Sequence, residues 1–366
     1  MTLIYRRGLR SELIGLTPVA FALISVLAKG PKMFGPKSGL RKFVATLSIV
    51  SVSLLLAPSA ATAADAFPST TEFLSSKFVA GKAIDGFSPG KADYGFTLEA
   101  MLQLRAAGKT VAQQRVAINH VLNDLTVSVN RGGGYLFDAS KKFKPGLAGK
   151  FLFTGVALRV ANGPTKNNVA SLLRKAISAD GTIVGSEGNT YDYAWVILGL
   201  KALNTAKDTA LANRVALKLS SMALADGGFG FDRNAATSTS SADSTGIALQ
   251  ALVASKADGS ATERAAKLKA IRLSSSYLTK TDVDDNHWQA FGDIDVNGTA
   301  YAAMGLKAAG VNKAQVAKYS TWLKSRLATD GKGFVTPWSS GAGDTFATAQ
   351  SYVPLVGLSY LDLMKK

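Results

Sequence analysis

The sequence of 366 residues contains no cysteine and only two histidines, His120 and His287. Without cysteine the chain forms no disulfide bond and offers no thiolate to a metal, which excludes zinc–thiolate chemistry. A single histidine in a helical segment, such as His120, is more typical of packing or of the surface than of catalysis. We therefore predict no metal site and no cofactor. Hydrophobic residues make up 47% of the chain, which is enough to bury a large core without disulfides.

The N-terminal segment has the pattern of a targeting sequence. Lys37, Arg41 and Lys42 precede the apolar run 43–56, and "APSAATAADAF" then offers a small-residue cleavage site after Ala63. This predicts a signal peptide within a leader of residues 1–63, and a protein that is secreted or associated with the cell envelope. Residues 1–32 form a second basic and apolar stretch that is short for a membrane span. It is explained either by an over-long start, with Met33 as the initiator, or by an N-terminal anchor.

Acidic side chains are scarce relative to basic ones: 25 Asp and Glu stand against 42 Lys and Arg, a net charge of +17. Residues 1–63 hold eight of the basic residues and one acidic residue, so the charge is +10 without them. Many lysines fall on the polar faces of predicted outer helices, where they are either solvated or turned to an anionic envelope surface. An exported chain without an aromatic and basic motif is not expected to bind nucleic acid.

One helix start, "DSTGIALQAL" from Asp243, recurs along the chain. Its relatives are "DYGFTLEAML" at Asp93, "KFLFTGVALRV" at Lys150, "DYAWVILGLKAL" at Asp192, "NGTAYAAMGL" at Asn297 and "DTFATAQSYVPL" at Asp344. The six starts are about fifty residues apart, as in two-helix repeats. An Asp or Asn at such a start predicts an N-cap, which Lys150 does not provide. The second repeat is therefore expected to cap its helix differently or to use the ammonium group elsewhere.

Most of these starts follow a loop that joins glycine to an aromatic residue, such as "DGFSPG" at Asp85 and "DGGFGFD" at Asp226. Glycine permits the positive φ that a tight loop needs. An amphipathic helix is predicted before each loop, over Thr70–Ala80, Thr110–Leu125, Thr165–Ala179, Asp208–Leu224, Ala261–Tyr277 and Asn312–Ala328. Each repeat is thus an outer helix, a glycine loop and an inner helix.

Six hairpins of this kind can close into a ring in which one helix of each pair lies inside and the other outside. We therefore predict an all-α protein, an (α/α)6 toroid of six helical hairpin repeats, with residues 64–366 as a single domain. Because every glycine loop precedes the inner helix, all six loops and helix starts are expected at one mouth of the central funnel.

The Gly-Phe loop followed by a "D[ST]TxxALxAL" pattern resembles the prenyltransferase and squalene oxidase repeat over Thr70–Lys366. The resemblance implies the toroid fold of terpene cyclases, protein prenyltransferase β subunits, complement thioester domains and cobalamin carriers. Prenyltransferases of this family bind zinc through a cysteine, and thioester domains also need one, so both activities are set aside. The resemblance is specific for the fold and weak for function.

Terpene cyclases of this family protonate their substrate with the central Asp of a DxDD motif at an inner-helix start, which directs attention to the acids. The "DVDD" at Asp282–Asp285 lies upstream of its loop, and at the helix start Asn297 occupies the donor position. Asp243 aligns with the donor in the fourth repeat. If the protein is an enzyme, Asp243 or Asp295 is the predicted catalytic acid. The alternative is that these residues are helix caps.

The residues after each helix start differ between the two halves of the chain. The first three repeats place aromatic rings there and the last three place small or hydrogen-bonding residues: Tyr94, Phe96, Phe151, Phe153, Tyr193 and Trp195 against Ser244, Asn297 and Thr345. A mouth built in this way suits an apolar or flat ligand held by stacking on one side and by hydrogen bonds on the other. The alternative is that the rings fill the centre as core.

Two functions follow from these observations. The first is a secreted, non-catalytic toroid that binds a small apolar or flat ligand, as the cobalamin carriers do, or acts at the cell surface. It is favoured by the leader and by the lack of acidic companions around Asp243. The alternative is a terpene cyclase-like enzyme on a polyprenyl or triterpenoid substrate, in which the aromatic residues stabilise carbocations.

Overall fold

The computed structural model describes residues 65–131, 134–160, 163–185, 189–232 and 238–365, all in one compact unit, and thirteen helices account for most of these residues. In chain order the helices are α1 Pro68–Ser76, α2 Tyr94–Ala106, α3 Arg115–Arg131, α4 Pro145–Ala157, α5 Gly163–Lys175, α6 Thr190–Leu203, α7 Ala206–Ser220, α8 Ala242–Ser255, α9 Ala261–Thr281, α10 Val296–Ala309, α11 Lys313–Ser325, α12 Thr345–Leu355 and α13 Tyr360–Leu363.

The even-numbered helices α2 to α12 form a closed inner ring. Each packs against the next, and α12 packs against α2. These helices are buried on almost every side, whereas the odd-numbered helices α1 to α11 lie outside and bury mainly one face. The prediction of an all-α (α/α)6 toroid of six helical hairpins is confirmed. The outer helices occupy the six predicted segments, with ends that differ by up to six residues.

Short antiparallel hairpins form within three of the glycine loops. They pair β1 Phe78–Val79 with β2 Ala83–Ile84, β3 Phe229–Gly230 with β4 Ser240–Ser241, and β5 Trp288–Ala290 with β6 Asp293–Asp295. In four repeats the loop is tied to the inner helix that follows it by a buried threonine four residues after the N-cap. The threonine Oγ1 accepts a loop N–H at 2.9–3.0 Å in four repeats: Ile84 to Thr97, Phe229 to Thr245, Trp288 to Thr299 and Phe334 to Thr348. This bond explains why a threonine recurs in the motif.

The inner helices begin in a different register from the predicted one in four repeats. Their N-caps are Asp93, Lys144, Asn189, Ser241, Asp295 and Asp344, which are 45 to 54 residues apart. The predicted caps Asp93 and Asp344 are confirmed. Asp192, Asp243 and Asn297 instead lie in the first turn, because the side chains of Asn189, Ser241 and Asp295 accept the first-turn N–H bonds. Lys150 lies in the middle of α4, which begins at Pro145, a residue suited to the first helical position.

Glycine lets two pairs of inner helices approach closely. A Cβ on Gly149 of α4 would lie 2.3 Å from the Trp195 carbonyl oxygen of α6, and one on Gly246 of α8 would lie 2.2 Å from the Tyr301 carbonyl oxygen of α10. Neither neighbour is a flexible side-chain end, so the backbones themselves must separate to admit a methyl group. The ring therefore depends on glycine at these crossings.

We expect Gly149→Ala to lower the free energy of unfolding by roughly 1–3 kcal/mol, because the added methyl group overpacks the crossing of α4 and α6. Gly155→Ala on the same helix is the matched control, since no atom lies within 4 Å of its Cβ position. That control is expected to gain roughly 0.5–1 kcal/mol from helix propensity. Urea denaturation of the two variants measures both changes, and equal effects would contradict the close crossing.

The predicted leader of residues 1–63 and its signal peptide lie outside the described residues. Within the part of the chain that is described, no helix combines the length and the hydropathy that a membrane crossing requires.

Candidate active site

A cavity of about 480 Å³ opens where the inner helices begin. Helices α2, α6, α8, α10 and α12 each contribute residues from their first turns, and the preceding loops supply the rest. The residues that matter for its chemistry are Phe87, Phe96, Tyr191, Phe231, Asp243, Asp295, Asn297, Trp338, Asp344, Phe346 and Gln350. The cavity is therefore the funnel mouth expected from the order of helix, loop and helix.

Three aspartates line this cavity, and two of them, Asp243 and Asp295, come from the adjacent repeats of α8 and α10. Asp243 accepts hydrogen bonds from the Tyr191 hydroxyl at 2.8 Å and from the Ser244 N–H at 2.7 Å. Asp295 caps α10 and accepts the Gly298 N–H at 2.8 Å. Burial, together with the nearby charge of Asp243, raises the pKa of Asp295 from 3.8 to about 6 against the opposing backbone hydrogen bonds. The site thus holds one carboxyl that keeps its proton near pH 6 and one that accepts two hydrogen bonds.

The floor beneath these acids is a buried polar network centred on Glu99 of α2, which is 1% exposed. Its carboxylate accepts hydrogen bonds from the Lys150 ammonium at 2.8 Å, the Tyr301 hydroxyl at 2.6 Å and the Gln350 amide at 2.7 Å. The Lys150 ammonium also lies 4.9 Å from the centre of the Trp195 ring. The lysine that breaks the cap pattern is therefore the partner of the buried glutamate.

Aromatic rings surround the mouth. Phe346 lies between Phe87 and Phe96, with ring centres 4.4 and 4.3 Å away. Trp338 is 74% exposed and Phe87 is 84% exposed. Phe231, which contacts Tyr191, is also exposed, so flat hydrophobic surfaces are available to a ligand at the entrance.

The predicted aromatic half of the mouth is largely core. Phe151, Phe153, Tyr193 and Trp195 are at most 4% exposed, because their helices begin earlier than predicted, at Pro145 and Thr190, which places these rings farther along the helices and in the core. Tyr94 packs against His120 of the outer helix α3, and its hydroxyl lies 3.1 Å from the histidine Nε2. Of the six rings, Phe96 lines the cavity.

The predicted hydrogen-bonding half is divided in the same way. Asn297 lines the cavity, whereas Ser244 is buried. Thr345 is half-buried and does not line the cavity, although its neighbours in sequence, Asp344 and Phe346, do. Both predicted catalytic acids, Asp243 and Asp295, lie in the cavity. The "DVDD" segment is elsewhere: Asp282 follows the end of α9 and accepts the Tyr319 hydroxyl of α11 at 2.7 Å.

Several site residues were missed from the sequence. Phe87, Phe231 and Trp338 belong to the glycine loops, where an aromatic residue beside glycine or proline was the available signal. Glu99, which was also missed, and Lys150, whose ammonium group was expected to act away from the helix cap, are charged residues inside otherwise apolar inner helices, a pattern that indicates a buried pair. Among the described residues, no group of three or more His, Asp and Glu side chains is placed to hold a metal ion.

The known proteins that resemble this chain share its fold. No protein-family model and no curated protein matches the chain. Among solved structures, it is similar to the unsaturated glucuronyl hydrolase of Bacillus sp. GL1, with 12% identity, 79% of this chain and 93% of that chain covered, and a TM-score of 0.55. It is also similar to an α-1,6-mannanase of Salegentibacter sp. HEL1_6 in complex with α-1,6-mannotriose, with 11% identity, coverage of 80% and 98%, and a TM-score of 0.56.

A third similar structure is a glycosidase in complex with glucose, at 16% identity, with 81% and 96% coverage and a TM-score of 0.54. At these identities the likeness is one of fold. The prediction of a non-catalytic toroid and its terpene cyclase-like alternative are contradicted by these similar structures, which are glycosidases. The resemblance to the prenyltransferase and squalene oxidase repeat therefore holds for the toroid and not for membership of that family.

Proposed function

We propose that the protein is a glycoside hydrolase whose active site is the cavity at the mouth of the toroid. The observation that carries the proposal is the pair Asp243 and Asp295 from adjacent inner helices, with the pKa of Asp295 at about 6. Glycoside hydrolysis uses two carboxyl groups in different protonation states. The shared fold with glycosidases supports the same reading.

Each acid has a distinct role in this proposal. Asp295, which is mainly protonated below a pH of about 6, donates its proton to the glycosidic oxygen of the leaving group. Asp243 accepts hydrogen bonds as a carboxylate and serves as the second group, either activating water or attacking the anomeric carbon. Tyr191 holds the Asp243 carboxylate in place at 2.8 Å. The ring faces of Phe87 and Trp338 stack on the apolar faces of sugar rings.

The proposal is tested by incubating the purified protein with chromogenic hexosides and with mannan and glucan oligosaccharides. We expect release of reducing sugar, with NMR of the fresh product reporting whether the anomeric configuration is inverted or retained. Absence of hydrolysis across the panel, in wild type at pH 4 to 7, would overturn the proposal.

Asp243→Asn is expected to lower kcat at least 100-fold, because it removes the carboxylate that acts on the anomeric carbon. The decline of the remaining activity on the alkaline side of the pH profile should also move to lower pH. The reason is that the Asp243 charge helps to raise the pKa of Asp295, and the variant lacks that charge. Steady-state kinetics from pH 4 to 8 measures both effects. The control is Asp285→Asn, an exposed acid in the "DVDD" segment, which should leave the profile unchanged.

A further inference from the structure

The polarity of the cavity floor is determined by a chain of three side chains. Gln350 lines the cavity and donates its Nε2 to Glu99 at 2.7 Å. Its Oε1 in turn accepts the Nδ2 of Asn297, which also lines the cavity. These hydrogen bonds therefore connect a buried charge to an amide that faces the space for a ligand.

The charge of Glu99 fixes the direction of both hydrogen bonds, from Gln350 to Glu99 and from Asn297 to Gln350. Because the carboxylate is paired with Lys150, it accepts hydrogen bonds and donates none. Gln350 must therefore turn its NH2 group toward Glu99 and its carbonyl oxygen toward Asn297. Asn297 must then turn its own NH2 group toward Gln350, which leaves its Oδ1 and one N–H for a ligand.

We propose that Glu99 acts as a positioning residue that makes this cavity select uncharged sugars over uronic acids; the inference rests on the proposed glycoside hydrolase function. A neutral sugar hydroxyl both donates and accepts, so it satisfies the Asn297 Oδ1 and the remaining N–H together. A uronate carboxylate only accepts, so it can use the remaining N–H but leaves the Asn297 Oδ1 without a donor and brings two acceptors together.

The charges of the cavity act in the same direction. Besides the proton donor Asp295, two aspartates line it, Asp243 and Asp344. A carboxylate brought by the ligand is repelled by these two groups at short range, and more strongly where the bound sugar excludes water. The substrate class is therefore a neutral hexoside, in contrast with the glucuronyl substrate named for one of the similar structures.

The test compares 4-nitrophenyl glucosides and mannosides with the 4-nitrophenyl glucuronides of the same anomeric configuration. We expect the wild type to favour the best neutral hexoside by at least 100-fold in kcat/KM. A glucuronide that is hydrolysed equally well or better overturns the selectivity while the glycosidase function stands. Hydrolysis of neither class, nor of the oligosaccharide panel, overturns the function and the inference together.

The positioning role is tested with the double variant Glu99→Gln and Lys150→Met, which leaves no unpaired buried charge. A glutamine at residue 99 can donate or accept, so Gln350 and Asn297 are released from a single orientation. We expect the selectivity ratio to fall at least tenfold, through KM for the neutral hexoside rather than through kcat. An unchanged ratio in a folded double variant overturns the positioning role.

Two further variants complete the design. Gln103→Met removes a buried amide one turn along α2 that bonds Val353 and Tyr360 and does not line the cavity, so it controls for a general loss of core packing. It should keep the selectivity ratio. If the double variant does not fold, Gln350→Leu breaks the same chain without altering a charge, and it should lower the ratio in the same way. Retained selectivity in Gln350→Leu counts against the proposal.

Discussion

Asp295→Asn is expected to abolish hydrolysis and, at the same time, to make the protein more stable at pH 7. The loss of activity follows from removing the proton donor, and general acid catalysis contributes about 10²–10⁴ in rate. Asparagine caps a helix about as well as aspartate, so the Gly298 N–H of α10 keeps its acceptor. The gain in stability follows from the raised pKa of the acid that is replaced.

The sign of this effect is fixed by the direction of the pKa shift. The pKa of Asp295 rises from 3.8 to about 6 in the folded protein, so the folded state binds the proton more tightly than the unfolded state. Stability is therefore lost as the pH rises from about 4 through 6, by about 2–3 kcal/mol in all. Asparagine does not ionise and avoids this loss. The advantage of the variant should be small near pH 4 and fully present at pH 7.

Thermal unfolding of wild type and Asp295→Asn from pH 4 to 7.5 measures the effect, together with the hydrolysis rate. We expect a rise in Tm at pH 7 of roughly 3–5 °C. Asp93→Asn is the matched control, because Asp93 caps α2 through the same kind of bond and does not line the cavity. It should keep its activity. A variant of Asp295 that loses activity and stability alike at pH 7 would contradict the raised pKa.

Lys150→Met is expected to destabilise the toroid by roughly 3–5 kcal/mol. The substitution leaves the Glu99 carboxylate buried among the inner helices without its cation, and an uncompensated buried charge carries a cost of this size. Glu99→Gln should be destabilising for the complementary reason, since it leaves the Lys150 ammonium, only 12% exposed, against the Trp195 ring.

Combining the two substitutions should recover most of the loss, because the double variant contains neither charge. A double-mutant cycle in urea measures this coupling. The control is the exposed pair Lys318 and Asp285, where Lys318→Met should cost about 0–1 kcal/mol. Losses that simply add in the double variant would show that Glu99 and Lys150 contribute independently.

Much of the architecture was predictable because it depends on sequence patterns within each hairpin. The apolar spacing of each helix, the glycine in each loop and the recurrence of the unit act within one hairpin, and a hairpin with one apolar face buries it against identical neighbours. The helix starts were less predictable. Asp243 and Asn297 each follow another good cap, Ser241 and Asp295, and the choice between two adjacent caps depends on how the loop is held.

Some residues of the candidate site were also predictable from the sequence and others were not. Asp243 and Asp295 were identified from their places in the repeat, and both reach the cavity. Phe153 and Trp195 were placed at the mouth from predicted helix starts at Lys150 and Asp192, yet they pack with Tyr360 of α13 in the core. The N-caps of these helices are Lys144 and Asn189, so the two rings lie nine and six residues beyond the N-cap, whereas Phe96 lies three residues beyond Asp93 and reaches the cavity.

The sequence by itself determined the six helical hairpins, the closed ring and the end of the ring at which the loops gather, because each depends on contacts between residues close in the chain or on the repetition of one unit. Only the tertiary structure decided which side chains enter the cavity, the pairing of Glu99 with Lys150 and the raised pKa of Asp295. These properties depend on distance and desolvation between residues from different repeats, and those quantities exist only once the ring has closed.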